Sequence, residues 1–129
     1  MSIPVEIADL AAALEDFGAG YLLTVSTSAG VKAVTVEPTL EGGTLLVRAP
    51  GRGTLANLAA HEAVTVLFPP REPRGHTLLV DGTATACGDT GEDVRVEPTG
   101  AVLHRPADHA DGPPAAGAGG CGHDCTPVT

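Results

Sequence analysis

Ile3, Ile7, Leu10, Leu14 and Phe17 recur at intervals of four, three, four and three residues, while Glu6, Asp9, Glu15 and Asp16 fill the other faces. That period lines the apolar side chains along one stripe and predicts an amphipathic helix packed on the edge of a domain. Ser2 and Pro4 suit its first turn, and Gly18 with Gly20 ends it. From Tyr21 the pattern changes to short β-branched runs. YLLTVSTS, VKAVTVE and TLLVRA, separated by SAG and by the glycines of LEGG, read as three consecutive antiparallel strands. In PGRGTLANLAAHE, Thr54 can cap a short helix that carries Leu55, Leu58 and Ala59 on one side. AVTVLF returns to strand and stops at Pro69 and Pro70, and REPRG is a loop rich in charge and proline. HTLLVDGTATA reads as a long strand in which Gly82 marks a bulge or a point of close approach. DVRVEPTGAVLH is a sixth strand, which Pro98 restricts to an edge or a bend.

Six short strands, a leading helix and one helix between the third and fourth strands predict a mainly β fold, a small closed antiparallel barrel. After His104 the character changes. Residues 106–129 consist mostly of Ala, Gly and Pro, and such a segment cannot offset its ordering entropy by burial. The expected organisation is therefore a barrel domain over residues 1–105 and a tail over 106–129.

Composition narrows the function. A chain of 129 residues with sixteen acidic and seven basic side chains carries a formal charge of −9. That balance argues against nucleic acid and against an anionic membrane surface, both of which need a basic face. No apolar run approaches a spanning helix, and MSIPVEIADL lacks the features of a signal peptide, so a cytoplasmic protein is expected. Three cysteines, with Cys87 far from the other two, do not make the even, dense pattern of a disulfide-built domain. The only aromatic residues are Phe17, Phe68 and Tyr21. A flat cofactor would therefore rest largely on aliphatic side chains and backbone.

Two places carry candidate chemistry. In RAPGRGTLANL a strand ends in Arg48, a turn contains Gly51, Arg52 and Gly53, and the short helix opens at Thr54. Free amides at a helix N-terminus, glycines that admit close approach and two guanidinium groups together suit a phosphate. The same residues also fit a glycine turn carrying two solvated arginines. In the tail, Cys121, His123 and Cys125 supply soft ligands for zinc or another transition metal, which His109, Asp108, Asp111, Asp124 or a second subunit could complete. A Cys121–Cys125 disulfide, an unstructured tail, and a tail lying across a ligand site are the alternatives. Elsewhere, His61 and Glu62 end the short helix, where a histidine is a favourable dipole partner. His76 opens a strand beside Arg74 and Gly75, in a loop able to bend over a site. Ser26, Thr27 and Ser28 lack the partners of a nucleophile and read as turn formers, and Cys87 reads as a buried small hydrophobe.

GYLLTVSTSAGVKAVTVEPTLEGGTLLVRA, RAPGRGTLANLAAHEAVTVLF and HTLLVDGTATA together resemble the pyridoxamine 5'-phosphate oxidase-like, flavin-binding split β-barrels, over residues 8–105. The resemblance implies a homodimer with two FMN or deazaflavin sites at the subunit interface. The phosphate would be held by the positions that are here Arg48, Arg52, Gly53 and Thr54. It implies packing or capping roles for Asn57 and Leu58, and hydride transfer at the bound ring, with no dedicated acid or base. Many members carry a lysine where this chain has Thr54, which leaves the source of that charge open. The expectation is a small oxidoreductase acting on a small-molecule substrate. The alternative is a non-catalytic barrel that senses or binds a cofactor, haem or metal through its pocket and tail.

Overall fold

The computed structural model describes residues 2–106. The tail expected over 106–129, with Cys121, His123 and Cys125, lies outside the described residues beyond Pro106. The elements are β1 (Ser2–Pro4), a 3-10 turn (Ile7–Asp9), α1 (Leu10–Leu14), β2 (Gly20–Val25), β3 (Val31–Val36), β4 (Thr39–Glu41) and β5 (Thr44–Val47). They are followed by α2 (Arg52–Ala60), β6 (Ala63–Phe68), β7 (Thr77–Cys87) and β8 (Asp93–His104). One antiparallel sheet contains all eight strands in the order β3-β2-β6-β7-β8-β5-β4, with β1 paired to β8.

Eight strands replace the six expected, and the two additions have clear causes. β4 arises because Gly42 and Gly43 both take positive φ, 60° and 83°, and turn the chain back so that Thr39–Glu41 pairs with β5. The TLLV strand accordingly pairs with β4 and β8, not with β3 as three consecutive strands in a meander would have it. β1 arises because β7 and β5 leave one edge of β8 open at its C-terminal end. Ile3 pairs there with Leu103, and the Val5 amide donates to the Ala101 carbonyl at 2.9 Å. The helix expected from the first residues onward is thereby confined to Leu10–Leu14. Edge pairing captures Ser2 and Pro4; in this helix Leu10 is fully buried, at 1% exposure, and Leu14 packs against the core from its margin. Nor is the barrel closed. β3 and β4 are the two ends of the sheet path and do not pair with each other, although only Glu37 and Pro38 separate them.

Alternation places the core. Leu22, Thr24, Val64, Val66, Phe68, Leu78, Val80, Val94 and Val96 point inward and are buried, as are Leu45 and Val47 on β5 and Leu58 on α2. Each fully buried Leu or Val contributes roughly 1.5–3 kcal/mol of transfer free energy. Phe17 and Phe68 pack ring to ring, with centroids 6.3 Å apart and planes at 54°. Gly82 sits at a register shift in the β7–β8 ladder, opposite Pro98. Pro98 falls between the β8 residues paired with β5 and those paired with β1, so its missing N–H costs no ladder bond on that edge.

Candidate functional site

β5 ends at Val47, and the chain enters α2 through Arg48, Ala49, Pro50 and Gly51. Ala49 takes φ 41° and Gly51 φ 112°. The first is a left-handed conformation that an L-residue adopts at a cost of about 1–2 kcal/mol. A carboxylate from β8 holds it there: Asp93 Oδ1 accepts the Ala49 amide at 3.0 Å. Gly51 is the N-cap and has no side chain to cap the helix, so the amides of the first turn face outward without a side-chain acceptor. The helix therefore begins at Arg52, two residues before the expected start at Thr54. Thr54 does not cap it. It is the third helical residue, fully buried, and its hydroxyl has no partner among the described residues.

α2 is fixed to the sheet by its own side chains. Asn57 Nδ2 donates to Thr24 Oγ1 at 3.0 Å, and Leu58 is 7% exposed against the core, which gives both residues the packing role expected of them. Thr24 pairs across the ladder with Lys32 on β3, so Lys32 lies on the same face of the sheet, under α2. A Cβ placed on Gly53 would sit 2.6 Å from the Lys32 ammonium. The amine thus rests against the first turn of α2, beside Arg52 and among unpaired backbone donors. A cation at the positive end of a helix dipole is repelled by it, and the arrangement becomes favourable when an anion lies between them. Arg48 and Arg52 are both exposed. Sequence reasoning missed Lys32 because it lies far from the turn in the chain. Its one signal is that it is the lone charged residue of its strand.

The other singled-out residues are dispersed. His61 caps the C-terminus of α2, with its amide on the Asn57 carbonyl at 2.8 Å. Ser26 Oγ accepts the Gly30 amide at 3.0 Å and forms the turn expected of that segment. Cys87 is a free thiol at the end of β7, half-buried where full burial was expected, because the small residues that precede it reach the barrel rim. His76 is half-buried beside a cleft at the far end of β6. Among the described residues no group of three or more His, Cys, Asp and Glu is placed to hold a metal, and no helix is long and apolar enough to cross a membrane.

No family model matches the sequence. The chain is 42% identical over 135 residues to uncharacterized proteins of Mycobacterium bovis and Mycobacterium tuberculosis, covering 94% of this chain and 92% of each relative. Among solved structures, a Listeria innocua protein named for pyridoxamine 5'-phosphate oxidase superposes with a TM-score of 0.62 at 17% identity, over 75% of this chain and 96% of that one. An FAD-binding protein of Mycobacterium smegmatis superposes at 0.58 and 17% identity, over 80% and 98%. An F420 reductase does so at 0.55 and 19%, over 70% and 93%. All three share the split-barrel fold described above.

Proposed function

From a chain that belongs to one family with the uncharacterized mycobacterial proteins and folds as a pyridoxamine 5'-phosphate oxidase-like split barrel, we propose an FMN-binding protein, or one binding a deazaflavin in its place, that acts as a small oxidoreductase. One observation carries this reading: Lys32 set against the first turn of α2, where the amides lack acceptors and the Thr54 hydroxyl is buried without a partner. In this reading the amides of that turn donate to the cofactor phosphate while Lys32 and Arg52 neutralise it, with Arg48 at the entrance. Gly53 keeps the space between amine and helix open. Asp93 holds the turn in the shape that presents those donors. Lys32 also offers a source for the charge that Thr54 cannot provide.

When bound, the ring supplies hydride transfer, and the protein supplies position and electrostatics. Phe68 is buried and Phe17 packs on it, so a ring held at the start of α2 would rest on aliphatic side chains and backbone. The reading includes a homodimer. Tyr21, Leu67, Leu79 and Val102 form one cross-strand row over β2, β6, β7 and β8, on the face opposite the core. Tyr21 is 41% exposed there and Val31, nearby on β3, 71%, a face that a second copy would cover. Sedimentation of the purified protein should then give twice the mass of the chain, and a monomer at micromolar concentration would remove the dimer.

Fluorescence titration with FMN and with riboflavin tests the cofactor. The expected result is FMN binding tighter than riboflavin by about tenfold or more, the share of a charge-assisted phosphate contact. Equal affinity for the two, or uptake of neither FMN nor a deazaflavin, would overturn the reading.

A further inference from the structure

We infer a second anion site, separate from the start of α2, in the cleft between the β6–β7 loop and the end of β8. It takes a small organic anion that joins a phosphate or carboxylate to an apolar body. The cleft is open to solvent and has a volume of about 640 Å³, within the range of small-molecule sites. Arg71, Arg74, Arg105 and His76 line it, with Phe17 and Leu103 as its apolar wall. In a chain of net charge −9 with seven basic side chains, three of those seven meet here. Asp16 and Glu72 also line the cleft, across from the three guanidinium groups. Among the described residues, neither Arg71 nor Arg74 has an ion-pair partner.

The loop is built rather than slack. Pro69, Pro70 and Pro73 restrict its backbone, and the Gly75 amide closes a turn on the Glu72 carbonyl at 3.0 Å. Arg74, which lines the cleft, is held at φ 69°, a conformation that an L-residue rarely takes. Presenting two guanidinium groups on a stiffened turn reduces the ordering that binding an anion would require. The apolar wall selects for more than an inorganic ion, since Phe17 and Leu103 are half-buried and offer contact to a ring or chain. The inference does not rest on the flavin reading. The loop leaves the end of β6 opposite to the one that α2 enters, and no residue of the cleft belongs to the α2 start.

The test is a titration of the isotope-labelled full chain with phenyl phosphate, followed by backbone amide shifts, beside benzyl alcohol as the neutral counterpart. Saturable shifts at Glu72, Arg74, Gly75 and His76 are expected with phenyl phosphate and not with benzyl alcohol. The R71Q/R74Q double variant should weaken binding about tenfold or more. Both arginines are exposed, so the variant leaves the core intact. Shifts confined to the first turn of α2, equal binding of benzyl alcohol, or an unchanged affinity in the double variant would each overturn the inference.

Discussion

Gly53 and Gly82 look alike by one measure, since a Cβ at either would meet an atom 2.6 Å away. The atoms differ. At Gly82 the neighbours are the Glu97 carbonyl oxygen and, at 2.7 Å, Val96 Cγ1, both held by the β7–β8 ladder. At Gly53 the neighbour is the free end of the Lys32 side chain. A glycine facing fixed backbone is required by the fold, whereas one facing a movable ammonium group can be replaced without loss of the fold. The second kind of glycine points to use, because the space it leaves open serves a ligand better than it serves packing.

Substitution separates the two regions. Gly82→Ala should have the largest effect, because the β7–β8 ladder would have to open around the methyl group. A loss of about 3 kcal/mol or more in denaturant unfolding is expected, with aggregation on expression. Asp93→Ala should cost less, about 1–2 kcal/mol, by releasing the Ala49 amide from its acceptor, and Ala49→Gly should recover part of it by removing the left-handed strain. Gly53→Ala should act in the opposite direction on the fold. Alanine favours the helix by up to about 1 kcal/mol, so thermal stability should hold or rise while FMN affinity falls, as Lys32 is displaced from its seat. A parallel fall in stability and affinity would mean that Gly53 is structural, like Gly82.

The contrast also marks how far the sequence could be read. Gly82 was legible as a bulge or close approach because it interrupts a long β-branched run, and strands β2, β3, β5, β6, β7 and β8 were legible from the same alternation. Edge pairing was not. β1 and β4 are three-residue segments whose strand state depends on open edges of distant partners, a non-local property that composition does not carry. Of the apolar stripe expected from Ile3 to Phe17, Leu10, Leu14 and Phe17 pack on the core, whereas Ile3 lies in β1 at 47% exposure, and competition from the β8 edge leaves only Leu10–Leu14 as α-helix. At the site, RGT was recognised from glycines and charge, but Thr54 was placed as a cap when Gly51 fills that position. Lys32 reaches the site only through the β2–β3 register and the Asn57–Thr24 hydrogen bond, and both are tertiary facts.

Whether the start of α2 holds a phosphate is tested most directly by the ratio of FMN to riboflavin affinity in the wild type and in Lys32→Met. Riboflavin lacks the phosphate, so the ratio isolates the contacts made to it. The ratio should fall about tenfold in the variant while riboflavin affinity stays unchanged. A ratio unaltered by the loss of the ammonium group would contradict the assignment, and would leave Lys32 as a solvated surface residue with no part in binding.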